Sequence, residues 1–337
     1  MKINNYFKLS REQQLMVLNQ VSPKIGLPAQ AIEKDIYVTT ILQLVFTLPF
    51  ANCLIFKGGT SLSKVWGVIN RFSEDIDLAI DRTLFGLEGD LTKKKLKRLR
   101  KESSIFVREI FSSSLREKLE EYGLSEICSV ESEPDGEGNE TYPEPRKIFI
   151  HYKSAIGQVL GYMQPSVMLE IGSRSLFEPN EECYINSLVE GEFPTIKTSL
   201  VNSEIATSLP TKTFLEKVFL LHETFSVEGR GEKAERKSRH LYDLYQMMNT
   251  DIMTKALNDG CLWENIRHHR EVFTSISGMD YSQDISQRIQ LVPPINIIDV
   301  WREDYETMKE MMIYGSKPSF STIIESMKEL QEKFRNL

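Results

Sequence analysis

Apolar residues first recur at helical spacing at Leu15, Val17, Leu18 and Val21, behind Ser10-Arg11-Glu12-Gln13, whose cap-then-acid order is that of a helix start. Gly26 and Pro28 end this element, and a second helix is predicted from Ala29 to Phe46. A short buried strand, Leu54-Ile55-Phe56, then leads into a turn, Lys57-Gly58-Gly59-Thr60, and a helix over Ser61 to Val68. Phe72 to Asp81 alternates like a strand, and Leu91 to Tyr122 reads as a long charged helix. Seven cations on its first turns, Lys93, Lys94, Lys95, Lys97, Arg98, Arg100 and Lys101, point to a solvated face. The acidic, Gly- and Pro-rich run from Glu131 to Glu144 reads as an exposed loop or hairpin joining two strands. Lys147 to Tyr152 and Val167 to Ile171 are further strands. After about Pro210 the spacing becomes helical throughout, over Thr213 to Phe225, Arg239 to Thr250 and Ile297 to Tyr314. The pattern is a mixed α/β front and an all-helical back.

A length of 337 residues agrees with two domains. With 41 basic and 48 acidic side chains the net charge is −7, so nucleic acid would have to be met at a local basic patch rather than by bulk charge. Cys53, Cys128, Cys183 and Cys261 show no C-x-x-C spacing and read as reduced thiols. Ile36 to Phe56 carries no charge, yet Gln43, Pro49 and Asn52 interrupt it, so it is read as two elements of a folded core and not as a membrane span. The first residues carry no secretory pattern, and a cytoplasmic location is expected.

The densest chemistry lies between Lys57 and Ile80. On a strand Asp75 and Asp77 share one face while Ile76, Leu78 and Ile80 share the other. Two carboxylates held side by side need a cation or basic groups to offset their repulsion, and a divalent metal, Mg²⁺ or Mn²⁺, is the economical choice. Gly58 and Gly59, between a strand and a helix, would let backbone N–H groups approach phosphate oxygens. Taken singly, the glycines could be an ordinary turn and the aspartates a solvated strand edge; the combination is what points to a nucleotide site.

GGTSLSK followed by RFSEDIDL resembles the AbiEii/AbiGii toxin branch of the polymerase-β-like nucleotidyltransferases. Glu33-Lys34-Asp35, Glu216-Lys217, Arg239 to Tyr245, and Trp301, Asp304, Tyr305, Met308 and Met312-Ile313-Tyr314-Gly315 extend the likeness over most of the chain. The resemblance implies an α/β nucleotidyltransferase domain over residues 1–205, its small mixed sheet flanked by helices, then a helical domain over 206–337. It implies Asp75, Asp77 and Glu170 as metal ligands, Gly58, Gly59, Thr60, Ser73 and Lys217 around the nucleoside triphosphate, and Asp243 as a further site residue, with the helical domain closing the cleft. It also implies a bacterial toxin–antitoxin or phage-defence role with a separately encoded antitoxin. The expected reaction passes NMP from NTP to an RNA acceptor, the tRNA 3′ end foremost, with NMP transfer to protein or nucleotide binding without turnover as alternatives.

Lys217 has its own physical signal, since Phe214, Leu215, Val218, Phe219, Leu220 and Leu221 bury its helix and a buried ammonium needs an anion. That anion could be a triphosphate, Glu216 or another carboxylate. Leu241, Leu244, Tyr245 and Met248 form the apolar stripe of the next helix, leaving Arg239, His240 and Asp243 to another side, where Arg239 and Asp243 could be a plain i,i+4 pair. Arg230, Lys233, Arg236, Lys237 and Arg239 run into that region and suit an RNA backbone. The adjacent His268 and His269 diverge on a helix, and neither a G-x-S-x-G elbow nor a Walker-type loop is present.

Overall fold

A computed structural model describes residues 4–138, 141–157 and 164–337, which fall into two compact units. The first comprises Met1–Val65 and Ser73–Ser208; the second comprises Trp66–Phe72 and Leu209–Leu337.

In the first unit β1 (Asn4–Asn5) precedes α1 (Arg11–Ile25) and α2 (Ala29–Val45). Ser10 and Gln13 cap α1 reciprocally, each side chain accepting the other's backbone N–H, and Gly26 ends it in the left-handed region. From Ala31 to Val45 every residue of α2 is buried, which explains its uncharged run: the helix belongs to the core on all sides. Among the described residues no helix is long and apolar enough to cross a membrane. Then follow β2 (Leu54–Lys57), α3 (Gly58–Lys64), β3 (Ile76–Ile80), α4 (Lys93–Phe106) and α5 (Ser112–Glu121). A π-helical turn, Val107–Phe111, interrupts the long helix expected there.

The remaining elements of this unit are β4 (Cys128–Ser132), β5 (Arg146–Tyr152), β6 (Ser166–Gly172), β7 (Asn180–Cys183), α6 (Leu188–Glu192), β8 (Ile196–Lys197) and β9 (Ile205–Ser208). Among the described residues seven strands form one mixed sheet in the order β4-β5-β6-β3-β2-β9-β7. The pairs β3–β6 and β2–β9 are parallel and the others antiparallel. Ile41, Leu42 and Val45 of α2 join Phe56, Leu78, Leu169 and Ile150 of the sheet and Phe111 and Leu115 in one apolar core. The acidic segment does join antiparallel strands, β4 and β5; residues 139 and 140 within it lie outside the described set.

The second unit is helical: α7 (Pro210–Ser226), α8 (Arg239–Met248), α9 (Ile252–Asn258), α10 (Gly260–His269), α11 (Ile298–Met311) and α12 (Phe320–Arg335). Trp263 stacks between Phe219 and Phe334, with ring centres 4.5 and 5.2 Å away. Into this unit the chain also sends Asn70-Arg71-Phe72. Phe72 N–H donates to Met312 O at 2.8 Å and Tyr314 N–H to Asn70 O at 3.0 Å, so Arg71 and Ile313 form an antiparallel bridge. The strand expected from Phe72 therefore starts only at Ile76, because Phe72 already spends its backbone on Met312.

Candidate active site

Asp77 and Glu170 are direct register partners on the parallel strands β3 and β6. Lys57 of β2 opposes Asp77 from the other side, and Lys147 of β5 opposes Glu170. Register partners share a face, so four charges cross the sheet in the order Lys57, Asp77, Glu170, Lys147. All four are partly buried. Burial pushes the Glu170 carboxyl up, and so do the Asp77 and Asp75 carboxylates, while Lys57 and Lys147 pull it back down. Part of the compensation sought for paired carboxylates thus comes from two lysines that the sequence pattern did not single out.

Asp75 stands one residue ahead of β3, so strand alternation does not set its face. Its backbone carbonyl accepts the Thr60 hydroxyl, which also lies 2.9 Å from Ser73 Oγ. Gly58, Gly59 and Thr60 form the first turn of α3 itself and not a turn ahead of a helix over Ser61 to Val68. Gly58 has φ +79°, and a β-carbon there would come within 2.8 Å of the Asp77 carboxylate carbon. Glycine is required because the carboxylate packs directly on its α-carbon.

In the helical unit Asp243 is fully buried and accepts two bonds from Arg71, Nε to Oδ1 at 2.7 Å and Nη2 to Oδ2 at 2.8 Å. Lys217 Nζ lies 2.9 Å from the same Oδ2 and 3.2 Å from His240 Nδ1. The anion facing Lys217 is thus Asp243, while Glu216 lies 3.9 Å from Lys212. Asp243 is no mere partner of Arg239 on its own helix, and the apolar face of α8 includes Tyr242 and Met247 rather than Tyr245 and Met248. Burial opposes ionisation of Asp243, yet Arg71 and Lys217 hold it well below the usual carboxylate range. Burial pushes Lys217 down; Asp243 raises it, and Arg71 and Arg239 lower it. Burial and the nearby cations keep His240 far below the ordinary imidazole value, so it is neutral and can accept from the ammonium. Arg71 and Lys217 thus converge on one carboxylate.

A family model described as nucleotidyl transferase AbiEii toxin, type IV toxin–antitoxin system, matches residues 41–332. The chain belongs to this family. It is therefore a toxin-type nucleotidyltransferase, and a type IV system implies a separate antitoxin. The fold of this chain is similar to that of MenT4, a nucleotidyltransferase toxin from Mycobacterium tuberculosis H37Rv, with a TM-score of 0.58 at 15% identity over 95% of this chain and 90% of that one. No curated protein matches the sequence.

The later likenesses to the AbiEii branch acquire physical roles. Trp301 Nε1 donates to Gly231 O at 2.9 Å, and Asp304 accepts the backbone N–H groups of Arg236 and Ser238 at 2.7 and 2.9 Å. Together they pin the basic loop that precedes α8, where Arg236 adopts φ +58°. Arg71 was legible only as the first letter of RFSEDIDL, because nothing local names a partner so far along the chain.

Proposed function

We propose that this toxin is a metal-dependent nucleotidyltransferase that acts in the cytoplasm and passes NMP from NTP to the 3′ end of an RNA acceptor, tRNA foremost. The Lys57–Asp77–Glu170–Lys147 row carries the reading. Its hard oxygen donors suit Mg²⁺ or Mn²⁺, and Asp75 adds a third carboxylate. Among the described residues no three His, Cys, Asp or Glu side chains are gathered into a ready cage. An ion held by these carboxylates completes its shell with phosphate oxygens and water. When bound there, such an ion supplies charge neutralisation at the phosphates and a more acidic acceptor hydroxyl.

In the transfer, the acceptor hydroxyl gives up its proton to solvent as its oxygen bonds to the α-phosphorus, the bond from that phosphorus to the bridging oxygen breaks, and pyrophosphate leaves. The backbone N–H groups of Gly58 and Gly59 meet phosphate oxygens, Ser73 and Thr60 fix the approach to β3, and Lys217 stabilises charge on the departing triphosphate. Asp243 orients Lys217. The acceptor assignment rests on the basic loop Arg230 to Arg239, whose Arg230 and Lys233 are exposed on an otherwise acidic chain.

Incubation with each labelled NTP, total RNA and total protein tests the reading. Label should enter RNA and should vanish with Asp77→Ala or excess chelator. Label confined to protein after ribonuclease would move the acceptor to a polypeptide; no label in either pool would remove the activity.

A further inference from the structure

Glu33, Lys34 and Asp35 follow one another near the start of α2, and all three are buried. Consecutive helical residues diverge by about 100°, so each needs its own partner. Glu33 accepts from Ser154 Oγ and Ala155 N–H, each at 2.6 Å. Lys34 Nζ lies 2.6 Å from the Glu74 carboxylate and donates to Gln164 O at 3.3 Å. Asp35 pairs with Lys64 and accepts the Leu188 N–H at 2.7 Å.

Stability alone does not account for these charges. Buried ion pairs replaced by apolar groups of similar volume often leave a protein equally or more stable, and the rest of α2 is rich in such groups. What the pairs supply is geometry, and they act on the two ends of one motif. Lys64 is the last residue of α3, the helix that opens at Gly58 beneath Asp77. Glu74 lies between Ser73 and Asp75, directly ahead of β3.

We propose that Lys34 and Asp35 are positioning residues of the active site, tying the carboxylate strand and the glycine helix to the buried frame of α2. Lys34 holds the strand's approach through Glu74, and Asp35 holds the far end of α3 through Lys64. The proposal rests on the reading of Asp75, Asp77 and Glu170 as metal-binding carboxylates.

The test uses the full chain with Lys34→Met/Glu74→Met, which removes both members of one pair, and Asp35→Asn, which loosens the other. Thermal unfolding reports the fold, paramagnetic-resonance titration reports Mn²⁺ binding, and labelled-NTP incorporation separates kcat from KM. The double variant should unfold like the parent, yet bind Mn²⁺ about tenfold or more weakly and lose kcat with little change in KM for NTP. The exchanged pair Lys34→Glu/Glu74→Lys should regain part of both. Should the double variant not fold, the same losses in folded Asp35→Asn support the proposal. Parental Mn²⁺ affinity and kcat in whichever variant folds would overturn it. A wild type that binds no Mn²⁺ and labels nothing overturns the metal reading beneath it instead.

Discussion

Arg71 and Asp243 stand 172 positions apart and meet in a two-pronged ion pair sealed inside the helical unit. Arg71 reaches it because Asn70 to Phe72 is clasped by Met312 to Tyr314. The planar guanidinium occupies both Asp243 oxygens, leaving Oδ2 to take the Lys217 ammonium as well.

Lys217 should therefore act as an ammonium with a depressed pKa, and the alkaline limb of kcat/KM should fall below the ordinary lysine range. His240 is neutral and does not enter. Arg71→Met removes a cation that pushes Lys217 down, so that limb should move to higher pH even as turnover drops. An unmoved limb assigns the titration to another group.

Asp243→Asn leaves two buried cations without their carboxylate and should cost about 3–5 kcal/mol at neutral pH. The sign with pH follows from the depressed carboxyl. Its stabilisation is fully present above the unfolded value near 3.9 and is lost as pH falls through the lower folded value. The gap between wild type and variant in urea unfolding should narrow only in strong acid; a constant gap assigns the loss to packing.

Gly58→Ala should destabilise by about 1–3 kcal/mol from the positive φ, and its β-carbon would displace the Asp77 carboxylate. Activity should fall far more than the thermal midpoint. Near-normal turnover in folded Gly58→Ala would show that Asp77 need not sit where it does.

Asp75→Ala and Asp77→Ala should each abolish transfer while the chain stays folded, since both side chains are only partly buried. Glu170→Gln should lose product yet keep measurable NTP binding. Equilibrium dialysis with labelled NTP, run beside the transfer assay, separates the two effects; full activity in any of the three removes that residue from the site.

Arg230→Glu/Lys233→Glu reverses two exposed charges of the loop held by Trp301 and Asp304. RNA labelling should weaken, and the slope of its affinity against salt should become shallower, because fewer phosphate contacts release fewer counterions. NTP binding should be nearly unchanged. An unaltered salt slope would place RNA elsewhere.

Much of this molecule is written locally. The Ser10 cap with Gln13, the ending at Gly26 and the charge-free run that became the buried α2 depend on neighbours within a few residues, so the chain itself determined them. Its motifs also sufficed to place it among AbiEii nucleotidyltransferases. Strand order decided the rest. Lys57 and Lys147 became flanks of the carboxylate pair only because β2, β3, β6 and β5 lie side by side, and no pattern along one strand says which strand will be its neighbour. Along its own helix Asp243 had Arg239 as a candidate i,i+4 partner, but in the packed chain it pairs with Arg71 and Lys217. A carboxylate taken out of water must find its cations wherever the packed chain brings them, and that choice exists only after the long-range contacts have formed.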